Sequence, residues 1–134
     1  MMEILADTHA VIWLLAEPSQ LSPAASRELK SAIDAQRPIH ISAISPIEML
    51  YLVEKGRINS SILTDFLDLL QKLESPFRIL PVDMDVYRAM PGVPRSSVPD
   101  MPDRIIAATA VAHGLLLITR DQKILDSGIP AIKA

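Results

Sequence analysis

Four acids stand where apolar runs of the chain begin or break off. They are Asp7 after MEILA, Glu48 inside SPIEML, Asp103 ahead of RIIAATAVAHG, and Asp121 just past LLLIT. Carboxylates brought together could do three kinds of work. They could hold a hard divalent cation, because Mg2+ and Mn2+ prefer oxygen ligands in octahedral geometry. One of them could act as a nucleophile and carry a phosphoryl group. Or each could satisfy the unpaired N–H groups at a helix start, where acids are favoured. Capping is the natural reading of any one of the four, whereas their coincidence at strand ends and helix starts calls for more.

Converging carboxylates repel: two unit charges about 4 Å apart interact by roughly 4 kcal/mol at an effective dielectric near 20. Arg104 and Arg120, each next in sequence to one of the acids, would balance them as salt bridges; a divalent cation would balance them too, and is the reading favoured here. Asp100 reads most simply as a loop or cap residue. His9 follows Asp7 closely and reads as a packed or hydrogen-bonded imidazole; His40 in a strand and His113 near a helix C-terminus do not read as catalytic. With no cysteine in the chain, disulfides, thiolate metal sites and cysteine nucleophiles are excluded.

The elements that must position these acids alternate. MEILAD reads as a short buried strand and THAVIWLLAE as the helix after it, ending before Pro18. SPAASRELKSAIDAQ has Ser22 as N-cap and Pro23 at the first helical position. PIHISAIS is β-rich, and SPIEMLYLVEKGRI follows as a helix with Ser45 as cap, Pro46 and Glu48 in its first turn and Gly56 as its stop. SSILTDFLDLLQKLE carries its apolar residues at three-and-four spacing, which predicts an amphipathic helix. PFRILPVD reads as a strand, MDVYRAM as a short helix, and the proline-punctuated stretch 91–102 as the one long loop. DRIIAATAVAHG predicts a helix opened by Asp103 and closed by Gly114; LLLIT a buried strand; RDQKILDSG a short helix; IPAIKA a last extended piece.

Short, continuously apolar strands alternating with helices predict an α/β fold, a three-layer α/β/α sandwich with a mainly parallel central sheet. Such sheets bind ligands beyond the carboxyl ends of their strands, where the strand order switches. The length favours one domain, 1–134, and the 49% apolar share argues for a packed interior filled by Leu, Ile, Val and Ala, because aromatics reach only 4%. The leading MMEILADTHAVIWLLAEP lacks a basic start and carries Glu3 and Asp7, so it reads as mature structure, and no apolar run approaches the roughly 20 residues that span a bilayer. A net charge of −3 does not advertise a nucleic-acid binder unless a cation intervenes.

In order and spacing, LADTHAVIWLL, ISAISPIEML, DMPDRIIAATA and LLLITRD resemble the PIN-domain ribonucleases, specifically the VapC toxins of toxin–antitoxin pairs, over nearly the whole chain. The resemblance implies that Asp7, Glu48, Asp103 and Asp121 form the acidic quartet holding one or two Mg2+ or Mn2+ ions, and that Thr119 is the small hydroxyl residue ahead of the last acid. It implies a cytoplasmic, metal-dependent endoribonuclease, a homodimer, an RNA substrate and inhibition by a cognate VapB-type antitoxin. Many relatives read Asp-Pro-Phe-Asp at the third motif, where this chain has Asp100, Met101, Pro102 and Asp103, so the role of Asp100 is its own. Arg104, Arg120 and Lys123 are candidates for phosphate contact. Two other readings are an α/β domain working through an aspartyl phosphate and a non-catalytic binding protein whose acids only cap helices.

Overall fold

A computed structural model describes residues 2–134. Five strands form one sheet in the order β3-β2-β1-β4-β5, with every neighbouring pair parallel. They are β1 (Ile4–Ala6), β2 (Ile39–Ser42), β3 (Phe77–Leu80), β4 (Leu116–Thr119) and β5 (Ala131–Lys133). Parallel neighbours need crossovers, and helices supply them. These are α1 (Thr8–Ala16), α2 (Pro23–Asp34), α3 (Ile44–Glu54), α4 (Ser60–Leu70), α5 (Met84–Ala89), α6 (Met101–His113) and α7 (Gln122–Leu125).

Alternation along the strands divides the interior into two layers. Ile4 and Ala6 of β1, with Ile118 of β4, face a cluster containing Val11, Leu29, Met49 and Phe66, while Leu5 and Leu117 face the opposite cluster with Val86, Ile106, Ala107 and Ile124. All three β1 residues are buried, which is why the strand reads as an unbroken apolar run. Both phenylalanines meet in the core, Phe66 on Phe77 at 5.4 Å between centroids. No helix among the described residues is long and apolar enough to cross a membrane.

Three boundaries differ from the sequence expectation. Ser45 is not the cap of α3: the helix opens at Ile44, whose N–H is taken by Ser42 Oγ at 3.2 Å, and Ser45 lies buried inside the first turn. Glu48 therefore sits in the second turn. Likewise α6 opens at Met101, two residues before Asp103, because Asp100 caps it by accepting from Asp103 N at 3.1 Å. The 91–102 stretch is an anchored loop: Val93 and Val98 are buried in the second cluster, and Arg104 donates to the carbonyls of Val93 (2.7 Å) and Met90 (3.1 Å).

Candidate active site at the carboxyl edge of the sheet

The chain runs outward from β1 through β2 to β3, then crosses back to β4 and β5. The crevice between β1 and β4 is therefore the switch point where open parallel sheets take their ligands. Asp7 leaves β1 on one side of it and Asp121 follows β4 on the other. α3 brings Glu48 from the end of β2, and the first turn of α6 brings Asp103. All four line one cleft of about 480 Å³ together with Asp100.

Asp7 is the most constrained of them. It caps α1 through Oδ1, which accepts from Ala10 N at 2.8 Å, and its Oδ2 accepts from Arg120 N at 3.0 Å. Its own N–H donates to Ile118 O at 2.9 Å, tying it to β4. With only 7% of its surface exposed, burial holds its carboxyl above the usual range, opposed by the Ala10 N–H, the Thr119 hydroxyl and the Arg120 N–H. Capping and site placement are thus one arrangement, since the same geometry that closes α1 aims this carboxylate at the switch point.

Glu48 is oriented by a residue that sequence reading passed over. Thr8 Oγ1 donates to Glu48 Oε1 at 2.6 Å and is hydrogen-bonded to Ser45 Oγ at 2.9 Å, so the buried serine braces the threonine that fixes the glutamate. Burial raises the Glu48 carboxyl; the Thr8 hydrogen bond opposes this, and the charges of Asp100 and Asp7 add to it. Thr119 is fully buried and does not line the cleft; its Oγ1 accepts from Asp121 N at 3.0 Å, and Asp121 in turn caps α7 by accepting from Lys123 N at 2.9 Å. Thr119 therefore positions both Asp7 and Asp121 from behind.

Asp103 is strongly perturbed as well. Burial, then its hydrogen bond to Asp121, then the charges of Asp100, Asp121 and Glu48 push its carboxyl up to about 8. Burial and like charges together disfavour ionisation of the Asp103 carboxyl. None of the rim acids has an ion-pair partner: the ion pairs among the described residues are Lys30–Asp34, Glu3–His40 and Arg88–Asp85, all elsewhere. Arg104, expected beside Asp103, is turned to the loop carbonyls. Arg120 and Lys123 do line the cleft, and Arg120 is near enough for its charge to act on Asp7 and Glu48. His9 also lines it, its imidazole lowered to about 4 by burial and then by Arg120, and so neutral at ordinary pH.

The donor set fits a hard divalent cation in chemistry: oxygen ligands only, with no ion-pair partner within 4 Å among the described residues. Among the described residues no three such side chains are grouped closely enough to hold an ion as they stand.

Comparison with known proteins agrees with this architecture. The chain is 35% identical over 124 residues to Ribonuclease VapC22 of Mycobacterium tuberculosis, covering 92% of this chain and 91% of that one. Among solved structures it matches VapBC2 of Rickettsia felis bound to a promoter DNA fragment (TM-score 0.71, 20% identity, 98% of both chains), a likeness of fold alone. It also matches a toxin-antitoxin complex of Klebsiella pneumoniae (TM-score 0.61, 25% identity, 98% of this chain and 97% of that one). The PIN domain model matches residues 4–128, and the chain belongs to the PIN domain family.

Proposed function

We propose that this chain is a metal-dependent endoribonuclease and the toxin of a toxin–antitoxin pair. The observation that carries the reading is the cluster of five acids lining the switch-point cleft, none of which has an ion-pair partner within 4 Å among the described residues. The ribonuclease relative, similar over nine-tenths of both chains, supports RNA as the substrate.

In this reading Asp7, Glu48, Asp103 and Asp121 hold one or two Mg2+ or Mn2+ ions. A divalent cation bound there supplies an acidified water and neutralises charge at the scissile phosphate. The protein's part is positioning. Asp7, held by the Ala10 and Arg120 N–H groups, and Glu48, held by Thr8, keep fixed carboxylate directions at no reorganisation cost. Asp103 surrenders its proton as the site fills, and Arg120 and Lys123 at the cleft wall offset the repulsion a polyanion meets from five acids.

The Klebsiella toxin-antitoxin complex supports a cognate antitoxin as partner, which we take to be of the VapB type and to act with this chain in the cytoplasm. A homodimer is consistent with α3, which leaves Ile47, Leu50 and Tyr51 exposed. Purified protein incubated with total RNA should cut it in Mn2+ or Mg2+ and stop in EDTA. Cleavage that persists in EDTA, or that survives in both Asp7→Asn and Asp103→Asn, overturns the reading.

A further inference from the structure

A second groove, of about 600 Å³, runs over α1 and the start of α4 and joins the acid cleft through His9 and Arg120, which line both. Its composition is unlike that of the cleft. Where the cleft gathers five acids, the groove is lined by Arg57 and Arg120 against Glu17 alone, and its apolar wall includes Trp13 and Ile62. Neither arginine has a carboxylate within 4 Å among the described residues, and both are exposed. In a chain of net charge −3 this is a local reversal of sign beside the most acidic place on the molecule.

The groove is also built rather than incidental. Arg57 is presented from a fixed backbone, because α3 ends with Gly56 in the left-handed conformation (φ 70°) and Arg57 N bonds back to Leu52 O at 2.8 Å. Asn59 caps α4 with its side-chain oxygen, accepting from Ser61 N at 2.9 Å, which leaves its amide NH2 to donate into the groove it lines. Trp13 and His9, four residues apart on one face of α1, meet edge to face with centroids 6.4 Å apart. The two phenylalanines are spent in the core, whereas the chain's one tryptophan is left half-buried at this wall.

We propose that this groove is a subsite for a single-stranded RNA nucleotide adjoining the phosphate that is cut, with Trp13 as the stacking platform, Arg57 and Arg120 as contacts to the flanking phosphates, and Asn59 as a donor to the base edge. The inference rests on the ribonuclease reading of the acid cleft and names where that substrate's neighbouring base lies. Aromatic stacking flanked by cations is how proteins hold single strands with little regard to sequence. A polyanion leaving the acid cleft meets its nearest compensating charge here.

Because Trp13 is the only tryptophan, its emission reports the groove's occupancy without any need for cleavage. RNA octamers are titrated into the Asp103→Asn protein in Mg2+, with polarisation of a fluorescein-labelled octamer recording total binding. The expected result is a saturable change in Trp13 emission, with affinity weakened roughly tenfold by Arg57→Ala. Arg88→Ala, an exposed arginine on α5, should leave it unaltered. Asn59→Asp keeps the cap oxygen while removing the donor, and should weaken binding as well. Octamers that bind while Trp13 stays silent, with Arg57→Ala and Arg88→Ala alike, place the strand elsewhere and overturn the subsite. Emission that responds only to an antitoxin peptide assigns the groove to protein and overturns it too. If wild-type protein neither binds nor cuts RNA, the ribonuclease reading falls first and takes the subsite with it.

Discussion

β1 carries an acid at each end, and the two are treated in opposite ways. Glu3, just ahead of the strand, places Oε1 2.6 Å from His40 Nε2, and that hydrogen bond holds its carboxyl below the usual range. Asp7, just past the strand, is buried among N–H donors with its carboxyl raised, and the Asp103 carboxyl on the same rim is raised too. The chain has 13 lysines and arginines to spend, yet no side-chain cation stands within 4 Å of the rim acids among the described residues. A fold that pairs its acid at one end of a strand and leaves those at the other end unpaired keeps the second set for a partner from outside.

The comparison breaks most sharply at Asp103. Asp103→Asn removes one ligand and one of the repelling charges together, so RNA cleavage should fall on the order of 10³-fold. Its melting temperature in EDTA should hold or rise, a pairing of outcomes that activity assays and thermal unfolding check directly. Asp7→Asn should lose activity as fully but also lose stability, about 1–3 kcal/mol, because its new NH2 faces either the Ala10 or the Arg120 N–H that the carboxylate accepted.

Added cation comes next in size. Mn2+ at about a hundredfold excess over its Kd should stabilise the wild-type fold by about 2.7 kcal/mol. Glu3→Gln should show the same gain in thermal unfolding, and Asp103→Asn much less of it.

The pH response is opposite in sign at the two ends. With Asp103 moved from 3.8 to about 8, the folded chain keeps a proton that the unfolded chain releases, so in EDTA stability declines as pH climbs from about 4 to about 8. Glu3, lowered from 4.5, contributes stability that is present above that value and fades as pH falls through its folded value. Denaturant titrations across pH should therefore show Asp103→Asn flattening the upper limb and Glu3→Gln the acid one.

Much of this was legible from the residues because the signals were local. Continuous apolar runs marked β1 and β4, and Asp7 and Asp121 directly follow them, so parallel topology carried both to one edge. Ser22 and Pro23 read correctly as cap and first helical residue. The same Ser-Pro signature misled at Ser45, because Ser42 at the end of β2 captures the Ile44 N–H and α3 starts two residues early. Asp100 against Asp103 was likewise a question of which acid accepts and which is presented, settled by one hydrogen bond. The bracing of Glu48 by Thr8 spans 40 residues and depends on how α1 meets α3, and no local pattern reports such a contact. The meeting of Trp13 with Arg57 and Asn59 in one groove is hidden for the same reason.

Calorimetric titration of Mn2+ at about pH 7, repeated in buffers of differing ionisation enthalpy, tests the central claim most directly. If Asp103 exchanges its proton for a cation, uptake should release roughly one proton per ion, and Asp103→Asn should bind more weakly and release none. No uptake of Mn2+ by the wild-type protein, or uptake whose proton release is unchanged in Asp103→Asn, would contradict it.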